Sequence, residues 1–150
     1  MRTTTPPVVR TTSVLCSPDE AFEVFTHQLD QWWPLPSHSV YGSESAMVAF
    51  EQGQIVEHSA DGRTCVWGEV IGWDPPDSLS FTWHPGRPAE ERTEVTVTFR
   101  AEAGATRVEL VHHGWDLLGA DGVERRVGYA SDGGWTLVLA ALHRYRRGSA

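Results

Sequence analysis

Lysine is absent from this chain: all twelve of its basic residues are arginine. Set against 20 acidic residues, they leave a formal net charge of −8. Polyanions are held by clustered basic side chains, so this balance excludes nucleic acid as a partner. The one dense basic cluster, Arg144, Arg146 and Arg147, complements the dipole at the end of a terminal helix. Cysteine is scarce as well. Cys16 and Cys65 have neither metal-type spacing nor the numbers for a disulfide framework, and both read as reduced, buried side chains. No apolar run approaches the roughly 20 residues that span a bilayer, which excludes a membrane helix. Residues 1–10 lack the apolar segment of a secretory signal, so a cytoplasmic location is expected. Missing too are a nucleophile motif, a phosphate-cradling glycine loop and a dinucleotide fingerprint.

What is present is a globular composition, 40% apolar with seven tryptophans. A length of 150 residues suits one domain with one core, read here as 1–150. Val8 to Cys16 is rich in Val and Thr and predicts a first strand. Ser17-Pro18-Asp19-Glu20 then starts a helix, with Ser17 as N-cap, Pro18 at the first helical position and Glu20 placed for a capping box. Phe22, Phe25 and Leu29 form its apolar face, and a further turn from Asp30 to Trp33 is stopped by Pro34 and Pro36.

Short strands follow, separated by turn signals at Gly53, Asp61-Gly62, Asp74-Pro75-Pro76-Asp77 and Gly104. Three of them alternate cleanly. Leu79, Phe81 and Trp83 share a face, as do Val95, Val97 and Phe99, and then Val108, Leu110 and His112. Consecutive hairpins with one apolar face predict a curved antiparallel sheet covered on one side. Glu124 to Arg147 reads as one helix, with Trp135, Val138, Leu139, Leu142 and Tyr145 on a single stripe. Extended backward, that stripe meets Asp132, Ser131, Gly128 and Val127, which are small, polar or only modestly apolar. The expectation is a helix packed on the sheet along one half and roofing a hollow along the other. If the helix instead begins near Gly133, with Asp132 as its cap, the roof becomes a loop.

This order resembles the START-like (SRPBCC) superfamily of helix-grip folds, and within it the bacterial proteins related to the C-terminal domain of the activator of Hsp90 ATPase. The pieces that carry the resemblance are Ala21-Phe22 with Phe25-Thr26, Trp32-Trp33-Pro34, Trp67-Gly68-Glu69-Val70, Trp73-Asp74-Pro75-Pro76 and Leu79 to Trp83. Thr93-Glu94-Val95, Thr106 to Leu110 with His112, Gly114-Trp115 and Gly133-Gly134-Trp135 continue it. The resemblance implies an α+β helix-grip fold: a sheet of about six or seven strands wrapped around a long C-terminal helix, with two short helices after the first strand. It also implies an apolar cavity between sheet and helix. Related folds bind lipids, hormones or polyketides, catalyse cyclisation, or assist a chaperone. The eukaryotic activator carries a separate chaperone-engaging domain, for which this chain has no room.

Three functions are therefore in view. The first is binding of a small, mostly hydrophobic molecule, with no cofactor and no metal. Its cavity would be lined by Trp67, Phe81, Trp83, Val97, Trp115 and Trp135, with His38, His112 and Asp132 as polar groups. One of Trp32 and Trp33 would plug the core and the other would form the cavity rim. The second is a cyclase or dehydratase using Glu69 and His112 as acid and base. Glu69 is ambiguous: it faces inward if Cys65, Trp67 and Trp73 do, and outward if Val66 and Val70 are the buried face. His112 points inward on its strand, either as a buried, hydrogen-bonded core histidine or as a functional one. It cannot chelate a metal together with the outward-facing His113. The third is a protein-binding module in contact with a chaperone.

Overall fold

The computed structural model describes residues 5–147. Seven antiparallel strands form one sheet in the order β1-β7-β6-β5-β4-β3-β2. They are β1 (Val8–Val14), β2 (Ser45–Glu51), β3 (Gln54–Ser59), β4 (Thr64–Asp74), β5 (Ser78–Trp83), β6 (Thr93–Glu102) and β7 (Ala105–His113). Two short helices, α1 (Pro18–Thr26) and α2 (Leu29–Trp32), follow β1. The chain ends in a helical segment made of α3 (Ala120–Ala130) and α4 (Trp135–Arg147). This is the expected α+β helix-grip architecture.

The alternation in β5, β6 and β7 translates directly into burial. Leu79, Phe81, Trp83, Val95, Val97, Phe99, Val108, Leu110 and His112 all lie in the interior. The Ser17 side chain accepts from the Glu20 amide and caps α1. The carboxylate of Glu20 instead reaches Arg146 at 3.1 Å and ties α1 to α4. Phe22 and Phe25 pack on Phe99 at centroid distances of 5.2 and 5.9 Å, which seats α1 on the sheet. Helix α4 lies along the edge strand β1, held where the His143 ring donates to the Ser13 carbonyl at 2.7 Å and where Arg10 meets Thr136 at 3.2 Å. Cys16 and Cys65 are free thiols, both half-buried rather than fully enclosed.

Two expectations change. The terminal segment starts earlier than Glu124 and is not continuous, because Ser131–Gly134 separates α3 from α4. A Cβ on Gly134 would sit 2.2 Å from the Tyr129 carbonyl oxygen, so only glycine lets the chain fold back this closely on the end of α3. Gly134 thus serves close contact with the preceding helix. In β4 neither candidate face is buried throughout. The ladder to β3 skips Trp67 and the ladder to β5 skips Ile71, so bulges reset the alternation. Trp67 is buried, Glu69 and Ile71 are exposed, and Val70 is half-buried.

Candidate functional site

A cavity of about 580 Å³ lies between the sheet and the terminal helical segment, partly open to solvent. That is within the range of pockets that take small organic molecules. Its floor is tryptophan. Trp67 comes from β4, Trp83 from the end of β5, Trp135 from the start of α4, and Trp33 from the segment after α2. Their rings contact one another: Trp83 lies 5.3 Å from Trp135 and 5.6 Å from Trp67, and Trp33 lies 5.4 Å from Trp67 and 6.0 Å from Trp135. Trp83 is only 4% exposed, so it offers an edge to the cavity rather than an open face. The helical side of the wall is Glu124, Arg125, Gly128 and Tyr129 of α3, the break at Gly133 and Gly134, and Val138 of α4. The opposite rim is formed by His38, Ser39 and Val40 and by the β5–β6 loop at Pro85, Gly86 and Arg87.

The two neighbouring tryptophans have separate tasks. Trp32 is buried with its indole N–H donating to the Val24 carbonyl at 3.0 Å, and it is the plug. Trp33 is half-buried, donates to the His38 carbonyl at 2.7 Å and lines the cavity. His38 closes the rim. Its Nε2 donates to the Gly133 carbonyl at 2.6 Å, and its Nδ1 meets the Ser37 hydroxyl at 2.7 Å. One side chain therefore bridges the loop before β2 and the α3–α4 break.

His112 does not reach the cavity. It is fully buried behind Trp135, and both ring nitrogens are engaged by the protein. The Trp135 indole donates to Nδ1 at 2.9 Å, which fixes the proton on Nε2, and Nε2 donates to the Thr93 hydroxyl at 2.6 Å. The Thr93 hydroxyl donates onward to the Trp83 carbonyl. Burial pushes the imidazole pKa down to about 3, with nearby His113 and Arg125 adding to the effect, so the ring is neutral at ordinary pH. His112 is the hydrogen-bonded core histidine of the alternatives above. Glu69 is exposed and lies outside the cavity lining, so the two groups do not converge and the acid–base pair is corrected. Asp132 is exposed too, because the break removes it from the helical phase that would have aligned it with Trp135. Phe81, Val97 and Trp115 are core residues away from the cavity; the Trp115 indole donates to the His112 carbonyl at 2.9 Å.

Several residues of the site escape the sequence pattern. Tyr129 is one: its hydroxyl accepts from the Trp83 indole at 3.1 Å, which joins the roof of the cavity to its floor. Burial raises its pKa, against the opposing pull of the Trp83 N–H, Arg125 and Arg87. Arg125 has a side chain only 10% exposed, and its partners are the Glu91 carbonyl at 3.3 Å and the Glu91 carboxylate at 3.9 Å. Burial and then the neighbouring Arg87 lower its pKa. Glu57 is a fully buried carboxylate on β3. It accepts from the Val40 amide at 2.9 Å, the Tyr41 amide at 3.1 Å and the Trp67 indole at 3.0 Å, and so pins one rim of the cavity to its floor. Burial alone would raise its pKa, but the donors around it, Ser45 with these three, lower it on balance. A signal for Glu57 exists in the alternation, which places it on the same side of β3 as the buried Ile55. Nothing in a one-dimensional pattern distinguishes Arg125 from a solvated helix charge. No three His, Cys, Asp or Glu side chains among the described residues are grouped to hold a metal. No described helix is long and apolar enough to cross a membrane.

Comparison with known proteins gives the same architecture. The family model described as activator of Hsp90 ATPase homolog 1-like protein matches residues 15–146. Among solved structures, the protein MLL2253 from Mesorhizobium loti superposes with a TM-score of 0.67 at 17% identity, over 96% of this chain and 98% of its own. The self-sacrificing resistance protein CalC from Micromonospora echinospora gives 0.62 at 21% identity, over 97% and 96%. Txn09, an anthrahydroquino-γ-pyrone synthase, gives 0.59 at 30% identity, over 97% of this chain and 99% of its own. No protein with a curated function matches the chain.

Proposed function

We propose, from the premise that the chain belongs to the family of activator of Hsp90 ATPase homolog 1-like proteins, that it binds a small, ring-containing, largely apolar molecule in the cavity between sheet and terminal helices. The observation that carries this reading is the cavity of about 580 Å³ on a floor of mutually packed tryptophans, framed by a few polar groups at its rim. The half-buried Trp33 and the ring edges of the floor favour a ring-containing ligand, since edge-to-face contact adds to the burial of apolar area.

Gly128 supplies a test that spares the core. It lines the cavity from α3, and a Cβ added there meets nothing within 4 Å. Gly128→Phe fills the space and replaces a poor helix former. Uptake of a fluorescent hydrophobic probe is expected to fall at least tenfold in this variant with the melting temperature maintained. Full uptake by Gly128→Phe, or none by the wild type, would overturn the reading.

A second reading, ring-forming catalysis, is favoured by one observation, the 30% identity to the synthase Txn09 along nearly its whole length. In that reading the proton donor facing the ligand is the Tyr129 hydroxyl, which lines the cavity, in place of Glu69 and His112. Its expectation is turnover of a polyketide-type hydroquinone that drops at least a hundredfold in Tyr129→Phe while binding persists.

A further inference from the structure

One end of the cavity carries two arginines although the whole protein is acidic. Arg87 and Arg125 both line it, against a formal net charge of −8 for the chain. Their shared partner is Glu91, whose carboxylate lies 3.1 Å from Arg87 and 3.9 Å from Arg125. Among the described residues Glu91 is the one carboxylate within 4 Å of either guanidinium. Arg125 is also mostly withdrawn from water, and among the described residues its one hydrogen bond, to the Glu91 carbonyl, uses one of five N–H donors. Tyr129 lines the same end. Its hydroxyl oxygen already accepts from Trp83, and among the described residues its own proton has no acceptor, so it is set to donate. Glu124 is the other charged group of this wall, and Asp121 on the same helix also acts on Arg125; both are exposed and screened by water. Unused donors on a desolvated arginine beside a free phenolic donor form a receptor for an anion.

Resting on the binding function proposed above, we infer that the ligand is an acidic aromatic molecule. Its carboxylate, phenolate or enolate oxygen is held by Arg125 and Tyr129 with Arg87 behind them, and its rings lie on the tryptophan floor. The neutral counterpart of such a ligand forfeits a charge-assisted contact, which corresponds to a roughly ten- to hundredfold difference in affinity.

The test uses two probes that share a ring system and differ in charge, anilinonaphthalene sulfonate and the neutral N-phenylnaphthylamine. Wild-type protein is expected to bind the sulfonate at least tenfold tighter. Arg125→Gln should remove that preference while leaving the neutral probe's affinity in place, and Arg125→Lys should restore part of it. Arg100→Gln, at an exposed position of β6, should leave both affinities as in the wild type. Should Arg125→Gln fail to fold, Tyr129→Phe removes one donor and is expected to weaken the sulfonate alone. Equal affinity of the two probes for the wild type, or equal weakening of both by Arg125→Gln, overturns the anionic subsite and leaves the cavity's binding role standing. Failure of both probes to bind the wild type overturns the binding role itself.

Discussion

His112 shows how a single residue can look functional and be structural. Its place on the Val108–Leu110 face makes burial predictable, and a buried imidazole must find partners for two nitrogens. Trp135 and Thr93 supply them. The consequence is a pH dependence of stability. The folded-state pKa is about 3 against an ordinary 6.5, so below pH 6.5 the unfolded chain takes up a proton that the native protein refuses. Stability is intact above pH 6.5 and is lost as pH falls toward 3, at up to about 1.4 kcal/mol per pH unit. Urea unfolding at pH 7 and pH 5 should therefore show a smaller difference in His112→Gln than in the wild type, even though the variant is weaker at pH 7. Equal differences would remove His112 from the acid response. Glu57 acts in the same direction over a lower window, because its depressed pKa means that its contribution is present above the ordinary carboxylate value and disappears on acidification.

At the scale of elements, β5, β6 and β7 were legible because their pairing with one another carries no bulge, and every residue expected inside is inside, with outward-facing Thr82 buried as well. Strand β4 was not, because bulges at Trp67 and Ile71 change which side chains face inward. A bulge is written in the pairing between strands, so a single strand's pattern does not reveal it. Glu69 falls in the stretch between the two bulges, and both of its possible placements were open for that reason. The α3–α4 break was half legible: Gly133-Gly134 marks a weak point in a helix, while the two glycines differ in what they do. Gly134 presses on the Tyr129 carbonyl, whereas a Cβ on Gly133 meets nothing within 4 Å. Gly134→Ala is expected to cost about 1–3 kcal/mol through forced displacement of the backbone, which lowers the melting temperature by roughly 2–12 °C. Gly133→Ala should leave it within about 2 °C of the wild type, and calorimetry of the two variants checks the contrast.

Across the molecule, the sheet, the short helices and the terminal helical segment could be placed from sequence, and the chemistry of the cavity could not. Trp33, Trp67, Trp83, Trp135 and His38 were identified by type and order. Arg125 and Tyr129 lie one turn apart on α3, and Arg87 joins them only after the β5–β6 loop is brought against that helix. Binding at this junction links elements that otherwise touch little, so a ligand should stabilise the whole protein. At a hundredfold excess over its dissociation constant, the linkage amounts to about 2.7 kcal/mol, or a rise in melting temperature of roughly 5–10 °C. A bound probe that leaves the melting temperature unchanged would place the binding elsewhere.

The tryptophan floor has a further consequence, and it is optical. Rings whose centroids lie 5.3 to 6.0 Å apart share their electronic excitation, so absorbed ultraviolet light migrates among Trp33, Trp67, Trp83 and Trp135 before it is emitted. A coloured ligand resting on any one of them drains energy from all four. The same packing that leaves a single exposed edge of Trp83 to the cavity makes the protein's native fluorescence a collective reporter of occupancy, quenched by a flat chromophore without any label added to the chain.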